Sequence, residues 1–329
     1  MSRAGRVGPT TTEPESRGLR ALSLREALER GTVVLDGGLE TQLEQQGHDL
    51  SSALWSARLL TDDPRAVEEA HAAFFAAGAR VATTASYQAS VSGFARAGVD
   101  RHSAEELIRR SVHIAARARA RSALAEPAWI AGSVGPYGAS LADGSEYRGD
   151  YHLSVSELRE WHRPRIALLV EAGAEVLALE TVPSATEVEA LLAEIDGSDV
   201  DCWLSVTCTG DRTRAGEPAA EVFAMTRGVD EVMAVGINCT DPADASALVG
   251  VAAAASGKPV VVYPNSGEAW DAGSRRWSGA AAFIPGAVHG WVRDGARLIG
   301  GCCRVGPGEI AEIAELVSNT RGSRPTTQP

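Results

Sequence analysis

Eight short runs of β-branched and apolar residues recur along the chain, and longer stretches with helical periodicity separate them. The runs cover residues 32–36, 80–86, 129–134, 176–181, 202–208, 233–239, 260–265 and 297–302. The intervening stretches, such as PRAVEEAHAAFFAAGA, are long enough for crossover helices between parallel strands. This alternation predicts an α/β protein built on a parallel sheet.

The number of strand–helix units favours a closed barrel over an open sheet. A chain of 329 residues could hold two average domains or one (β/α)8 barrel, and no interior linker divides it. A doubly wound sheet remains possible, but Asp36-Gly37-Gly38-Leu39 after the first strand lacks the G-x-G-x-x-G of dinucleotide-binding folds. We predict a single-domain TIM barrel over residues 19–317, with long connections at 37–65 and 135–160 forming the active-site rim.

The two ends and the cysteines indicate where such a protein works. Residues 1–18 are polar and carry no apolar core, which predicts a disordered leader rather than a signal peptide, and residues 318–329 resemble a disordered tail. No apolar run approaches the length of a membrane span. Five cysteines without an export signal argue against a disulfide framework and favour a cytoplasmic protein, in which clustered cysteines more often serve metal binding or catalysis.

The charge balance and the basic residues narrow the function. With 31 basic and 43 acidic residues the net charge is −12, which disfavours nucleic acid and anionic membranes as partners and suits a small-molecule enzyme. The single lysine, Lys258, precedes the seventh strand, so it cannot supply the Schiff base of a barrel aldolase. The seven histidines form no H-x-H or H-E-x-x-H motif, and His71 and His113 are expected to be surface or packing residues. The oligomeric state is left open between a monomer and a small homo-oligomer.

Polar residues stand at the carboxyl ends of most strands, the face that carries the chemistry in barrels of this type. They are Asp36; Thr83, Thr84 and Ser86; Glu180 and Thr181; Thr207 and Cys208; Asn238 and Cys239; Asn265; and Cys302 and Cys303. One polar residue at a strand end often marks only the start of a loop. Two carboxylates, an amide and three cysteines converging on one face favour a catalytic site.

Cys239, Cys302 and Cys303 form the sharpest constellation, because they end strands six and eight. Adjacent cysteines pair with each other only under strain. Three thiolates bind Zn²⁺ and leave the fourth tetrahedral position open, as catalytic rather than structural zinc sites do. Such an anionic centre is poorly suited to splitting water and well suited to holding a substrate thiol as a thiolate. The alternative is three buried cysteines that act as small hydrophobic residues.

Seven segments of the chain resemble the homocysteine S-methyltransferase family, and the similarity covers roughly residues 30–316. They are LDGGLETQLEQQG (35–47), TTASYQAS (83–90), GSVGPYGASLADGSEYRGDY (132–151), LETVPS (179–184), GINC (236–239), YPNSGEAWD (263–271) and GGCC (300–303). The segments at 132–151 and YPNSGE are similar to the branch that uses S-methylmethionine. They are less similar to betaine-dependent enzymes or to the barrel of cobalamin-dependent methionine synthase.

The resemblance implies a role for each matching residue. Cys239, Cys302 and Cys303 would bind Zn²⁺, and Asp36 and Glu180 would hold the amino-acid part of homocysteine. Backbone groups at Gly37 and Gly38 would lie against that substrate. Asn238 would orient the site, and Ser86 and Tyr87 match a segment near the methyl donor.

The implied reaction is an in-line transfer in which the homocysteine thiolate attacks the methyl carbon of a sulfonium and methionine is formed. The sulfonium charge would favour aromatic and carboxylate surroundings. Candidates on the rim are Trp55, Tyr87, Tyr137, Tyr147, Trp270 and Glu268. Rival hypotheses are S-adenosylmethionine or betaine as donor, selenocysteine as acceptor, a non-catalytic zinc-binding barrel, and a structural barrel with free thiols.

Overall fold

A computed structural model describes residues 22–50, 55–271, 276–281 and 286–322. The leader predicted at 1–18 lies outside these residues. The tail prediction needs a correction, because helix α12 (Pro307–Gly322) includes residues 318–322. The buried Val317 anchors this last part of the helix, and the Ser318 hydroxyl donates to the Ala314 carbonyl at 2.9 Å. No helix within the described ranges is both long and apolar enough to cross a lipid bilayer.

Eight parallel strands form the central sheet, and the prediction of a (β/α)8 barrel is confirmed. They are β1 (Val33–Val34), β2 (Val81–Thr83), β3 (Trp129–Val134), β4 (Val176–Val182), β5 (Cys202–Val206), β8 (Val232–Asn238), β9 (Val260–Tyr263) and β12 (Ala296–Ile299). Their order is β1-β12-β9-β8-β5-β4-β3-β2. A parallel bridge between Leu35 and Val81 joins the two edge strands and closes the sheet, which rules out the doubly wound alternative.

Helices cover the outside of the barrel and one of its ends. Those of the described residues are α1 (Leu24–Arg30), α2 (Leu39–Gln45), α3 (Trp55–Asp62), α4 (Pro64–Ala76), α5 (Val91–Arg96), α6 (Arg101–Arg121), α7 (Val155–Glu171), α8 (Ala185–Ile195), α9 (Ala219–Ala224), α10 (Pro242–Ser256), α11 (Ala287–Arg293) and α12. Short antiparallel hairpins are formed by β6 (Cys208–Thr209) with β7 (Arg212–Thr213), and by β10 (Ala269–Asp271) with β11 (Arg276–Ser278).

The core has an inner and an outer layer, as a barrel requires. The inner layer consists of side chains that point into the barrel, among them Leu35, Trp129, Trp203 and Leu298. Helix α1 belongs to the same cluster through Leu24, Ala27 and Leu28, and the Trp129 indole donates to the Leu22 carbonyl at 3.0 Å. Because Trp129 begins its strand, α1 closes the amino end of the barrel and leaves the carboxyl end for the site.

The fifth predicted strand differs from the observed one. The run at 202–208 was expected to be continuous, but β5 ends at Val206 and Cys208 begins the β6–β7 hairpin. At Thr207 the backbone amide still donates to the Val182 carbonyl at 3.1 Å, and the hydroxyl donates to the Cys239 carbonyl at 3.0 Å. The two long connections hold short helices: α2, α3 and the start of α4 in one, and 3-10 turns at Tyr137–Leu141 and Ser145–Tyr147 in the other.

Candidate metal and substrate site

Three cysteine side chains meet at the carboxyl end of the barrel. The Sγ atoms of Cys239, Cys302 and Cys303 all lie within 4.8 Å of one another, and Cys239 and Cys303 are 3.7 Å apart. Cys239 is buried, whereas Cys302 and Cys303 are half-buried, so the cluster is open on one side. These residues follow β8 and β12, which β9 separates.

The sulfur positions fit a tetrahedral metal centre. Zn–S bonds of ~2.3 Å at tetrahedral angles place neighbouring sulfurs ~3.8 Å apart. The Cys239–Cys303 distance of 3.7 Å already satisfies this geometry. Three thiol ligands with one accessible face would leave a fourth position for a substrate atom.

The thiol protons are shared within the cluster. Hydrogen bonds from the Cys302 and Cys303 thiols hold the pKa of Cys239 well below its ordinary value, and the Tyr147 hydroxyl adds to this effect at 3.3 Å from Cys239 Sγ. The same bonds to Cys239 hold the pKa values of Cys302 and Cys303 above their ordinary value. One sulfur therefore ionises readily, and a bound cation would be needed to ionise the other two.

Backbone contacts fix the loop that carries the two adjacent cysteines. The Cys302 amide donates to the Pro264 carbonyl at 2.8 Å, and the Cys303 amide donates to Asn265 Oδ1 at 3.2 Å. A Cβ atom on Gly38 would lie 2.5 Å from the Cys302 carbonyl oxygen, so only glycine permits this approach. The predicted substrate glycines therefore also shape the cysteine loop.

Asp36 is buried beside the cysteine loop, at the end of the first strand. Its Oδ2 accepts the Thr83 amide at 2.6 Å and its Oδ1 accepts the Thr83 hydroxyl at 2.8 Å. Burial raises the pKa of Asp36 to about 7, the bonds from Thr83 oppose the rise, and the nearby Glu180 carboxylate adds to it. Each oxygen keeps acceptor capacity for a further donor.

Glu180 occupies the corresponding position on β4. The Ser133 hydroxyl donates to its Oε1, and the Tyr263 hydroxyl donates to its Oε2 at 2.9 Å. Burial raises the pKa of Glu180 to about 7. Two buried carboxyl groups with raised pKa values form a site that an ammonium group would stabilise in its ionised form.

Asn238 contacts protein groups rather than an open site. Its Oδ1 accepts the Thr181 amide at 2.7 Å and the Ser205 hydroxyl at 2.8 Å, and its Nδ2 donates to the Thr181 hydroxyl at 2.7 Å. Thr181 has a φ of 59°, which is uncommon for a β-branched residue. Asn238 thus supports the strained residue that follows Glu180, which is a positioning role.

Ser86 and Tyr87 occupy different environments. The Ser86 hydroxyl donates to the Ser133 carbonyl at 2.8 Å and is fully buried, so it joins β2 to β3 instead of facing the site. Tyr87 is half-buried, and burial together with the nearby Glu146 and Cys239 raises its pKa well above the ordinary value. Of the two predicted donor-side residues, the structure places only Tyr87 beside the cysteines.

Of the other aromatic and acidic rim candidates, some contact the cysteines and some do not. Tyr147 contacts Cys239, whereas Tyr137 packs on Tyr151 with ring centres 5.3 Å apart. Glu268 pairs with Arg304 at 3.1 Å. Trp55 begins α3 and Trp270 lies in β10, and their side chains are outside the described part of the structure.

A buried polar cluster behind the rim is absent from the sequence predictions. His162 Nε2 lies 2.9 Å from Glu187 Oε1, which also accepts the Tyr137 amide at 2.6 Å. Arg165 donates to the Gly135 carbonyl and lies 2.7 Å from His162 Nδ1. The spacing of three residues places His162 and Arg165 on one face of a helix, which is the sequence signal for this cluster. Charged residues on a helix are usually solvated, so the spacing alone does not predict that they are buried. This cluster fastens the segment that carries Tyr147.

The residues expected to be outside the site are outside it. The Lys258 ammonium is half-buried and donates to the Val229 carbonyl at 2.9 Å. His113 is exposed, and His71 is fully buried with both ring nitrogens unpaired among the described residues.

A cluster of three thiols, open on one side, on the carboxyl rim of a (β/α)8 barrel is typical of barrel enzymes that act on thiols. Residues 33–317 match the family model described as Homocysteine S-methyltransferase. The chain is 43% identical over 293 residues to Homocysteine S-methyltransferase YbgG of Bacillus subtilis, an alignment that covers 86% of this chain and 93% of the relative. It is 36% identical to Selenocysteine Se-methyltransferase of Brassica oleracea, covering 91% and 93% respectively.

A solved structure agrees with this. The metallated form of the homocysteine methyltransferase MmuM from Escherichia coli superposes with a TM-score of 0.79 at 40% identity, covering 87% of this chain and 96% of that one. The chain belongs to the homocysteine S-methyltransferase family. It is therefore a methyltransferase that acts on homocysteine, and the non-catalytic and purely structural barrels are set aside.

Proposed function

We propose that the protein transfers a methyl group from a sulfonium donor, S-methyl-L-methionine or S-adenosylmethionine, to L-homocysteine in a zinc-dependent reaction that yields L-methionine. The observation that carries the proposal is the open triad of Cys239, Cys302 and Cys303, with Sγ atoms within 4.8 Å of one another beside two buried carboxyl groups.

The triad would hold Zn²⁺ through its three sulfurs. When bound, Zn²⁺ would stabilise the thiolate form of homocysteine at neutral pH. The sulfurs themselves make the centre anionic, which preserves the nucleophilicity of the substrate sulfur. The burial of Cys239 excludes water from one side of the cluster and leaves the Cys302 and Cys303 side for the substrate.

Asp36 and Glu180 would bind the ammonium group of homocysteine. Each carboxyl group is oriented by hydrogen bonds, to Thr83 and to Ser133 and Tyr263 respectively, so little ordering is needed when the substrate arrives. An ammonium between them would restore their ionised forms through charge-assisted hydrogen bonds.

The transfer is a displacement at carbon. The homocysteine thiolate forms the new S–CH3 bond as the bond between the methyl group and the sulfonium sulfur breaks. The electron pair of that bond neutralises the sulfonium, so the donor leaves as a neutral thioether and no proton is transferred to or from the methyl group. Alignment of three atoms is then the main requirement on the protein.

A sulfonium donor suits the charge of the site. The Tyr147 ring lies beside Cys239, Tyr87 lies near the same sulfur, and the half-buried Glu146 precedes Tyr147 in the rim segment. Aromatic faces and anionic groups attract a sulfonium. The S-methylmethionine-type sequence at 132–151, which includes Tyr147, favours that donor over betaine.

A selenol acceptor is the second candidate. The similarity to Selenocysteine Se-methyltransferase favours it, and a selenolate would use the same anionic centre. Parallel assays with homocysteine and selenocysteine, with S-methylmethionine, S-adenosylmethionine and betaine as donors, separate these functions by the methylated product formed. Methylation of homocysteine by betaine alone would contradict the sulfonium proposal.

Metal analysis of the reduced protein tests the zinc site. We expect one zinc per chain in the wild type, and loss of both zinc and turnover in Cys239→Ala and Cys303→Ala. Cys208→Ala is the matched control, because Cys208 is buried outside the triad and should keep its zinc. A Cys239→Ala protein with full zinc content and full rate would disprove the site.

A further inference from the structure

Arg214 lies at the rim of the barrel, immediately after strand β7. Its guanidinium carbon is 5.6 Å from the centre of the Tyr147 ring, and the Tyr147 hydroxyl is 3.3 Å from Cys239 Sγ. Only one aromatic ring therefore separates this cation from the cysteine triad. The side chain is half-buried, which leaves part of it accessible to a ligand.

Two threonine hydroxyls hold Arg214 in this position. Its Nη1 donates to Thr209 at 2.7 Å and its Nε donates to Thr207 at 3.3 Å. Thr207 also donates to the Cys239 carbonyl, so the arginine and the triad share one anchor. A guanidinium carries five N–H groups, and these contacts use two of them.

No carboxylate of the described residues neutralises Arg214. Another arginine on this rim, Arg304, is paired with Glu268 at 3.1 Å and with Glu44 at 3.8 Å. Arg214 forms no such pair within the described ranges and is held by hydroxyl groups alone. The rim therefore offers a guanidinium without a carboxylate partner next to the ring that contacts Cys239.

We propose that Arg214 binds the carboxylate of the methyl donor and thereby selects amino-acid sulfoniums; this rests on the function proposed above. In such a donor the sulfur and the carboxyl carbon are separated by four bonds of ~1.5 Å, a span of roughly 5 Å. Because Tyr147 contacts both the guanidinium and Cys239, a donor of this length that is anchored at Arg214 extends toward the cysteines. The charge arrangement orients the zwitterion, with its sulfonium toward the cysteines and its carboxylate toward Arg214.

The same contact explains why arginine suits the position. A guanidinium can bind a carboxylate with two parallel hydrogen bonds while its ring-facing side stays on Tyr147. Lysine would keep the charge but lose this geometry. Lysine should therefore restore part, and not all, of the donor preference that glutamine removes.

The test compares two donors, S-methyl-L-methionine and its carboxamide, with the zinc-loaded protein and saturating homocysteine. The ratio of kcat/KM for acid over amide should be about 10 to 100 in the wild type, close to 1 in Arg214→Gln, and intermediate in Arg214→Lys. Arg212→Gln is the matched control, since Arg212 is exposed on the same hairpin and donates to the Gly216 carbonyl. Its ratio should equal that of the wild type.

The outcomes separate this proposal from the one on which it rests. An unchanged acid-to-amide ratio in Arg214→Gln, at normal zinc content, overturns the assignment of Arg214 and leaves the sulfonium reaction standing. A raised KM for homocysteine with an unchanged donor ratio also overturns it, because Arg214 would then serve the acceptor. Failure of the wild type to form methionine from S-methyl-L-methionine, from its carboxamide and from S-adenosylmethionine overturns both proposals.

Discussion

Thr181 shows how one strained residue is stabilised next to a binding group. Its φ of 59° places a β-branched residue in the left-handed region directly after Glu180. Asn238 satisfies both its amide and its hydroxyl, at 2.7 Å each. The hydrogen bonds from Asn238 thus stabilise the strained backbone at Thr181. Together they set the direction of β4 at the point where the Glu180 carboxylate projects.

Asn238→Ala should destabilise the protein by about 3 kcal/mol, since three buried hydrogen bonds of about 1 kcal/mol each are lost. In a Thr181→Gly background the loss should be about 1 to 2 kcal/mol smaller, because glycine adopts positive φ without strain and lacks the hydroxyl. Urea unfolding of the four proteins of this cycle measures the difference. Equal losses in both backgrounds would show that Asn238 does not support Thr181.

Glu180→Gln should lower kcat/KM for homocysteine about 10- to 100-fold, because glutamine cannot offer the substrate ammonium a charged acceptor. The thiol 4-mercaptobutyrate, which lacks the amino group, should be affected little. Glu268→Gln is the control, since Glu268 is engaged by Arg304 on the rim. An equal fall for both thiols would assign Glu180 a structural role.

The positions of the cysteines could be predicted from the sequence, but the directions of several other side chains could not. Strand ends place Cys239, Cys302 and Cys303 on one face, whatever the loops do. Ser86 and Asn238 were also predicted at this face, yet both bond protein groups inside it. The sequence spacing predicts at which end of a strand a residue lies. It does not predict which groups the side chain contacts, because these depend on loop contacts such as that of Tyr147 with Cys239.

At the scale of elements, the rim segment at 135–151 is fastened from behind by helices α7 and α8. Arg165 and His162 come from α7 and Glu187 from α8, and all three are buried. Burial lowers the pKa of Arg165 to about 9 and raises that of Glu187 to about 7. Through this cluster, the two packed helices hold in place the rim segment that carries Tyr147.

Arg165→Met should cost about 3 to 5 kcal/mol of stability, because it removes the donor to the buried Gly135 carbonyl and to His162 and the positive charge that favours ionised Glu187. Arg163→Met is a close control: Arg163 lies two residues away on the same helix and pairs with Glu194 at 2.9 Å with its side chain 54% exposed. That pair should be worth less than about 1 kcal/mol. Chemical unfolding at a fixed zinc concentration measures both, and similar losses would contradict the assigned role of the cluster.

For the whole molecule, the number of strands was enough to predict the barrel architecture. The ends of individual strands depend on contacts of single residues. Eight strands with crossover helices close through the Leu35–Val81 bridge, and α1 fills the amino end. The end of β5 at Val206 could not be read from the apolar run at 202–208, because Cys208 has a new partner, Thr213, in the β6–β7 hairpin. The net negative charge of the chain gives no information on its fold. The pH dependence of its stability is likewise set by particular buried groups and not by the net charge.

His71 is such a group, because burial on α4 lowers its pKa to about 4 and leaves both ring nitrogens without a described partner. Between pH 6.5 and pH 4 the unfolded chain binds a proton at His71 that the folded protein does not. Its contribution to stability is therefore constant above pH 7 and is lost as the pH falls through this window, by about 3 kcal/mol in total.

The variant His71→Leu isolates this effect from the buried carboxyl groups, whose raised pKa values act in the opposite direction over the same range. The free energy of unfolding of the wild type minus that of His71→Leu should be flat above pH 7 and fall by about 3 kcal/mol between pH 7 and pH 4. His113→Leu removes an exposed imidazole and is the matched control for the substitution itself. A difference between wild type and His71→Leu that stays constant down to pH 4 would mean that water or a local opening solvates His71 in the folded protein.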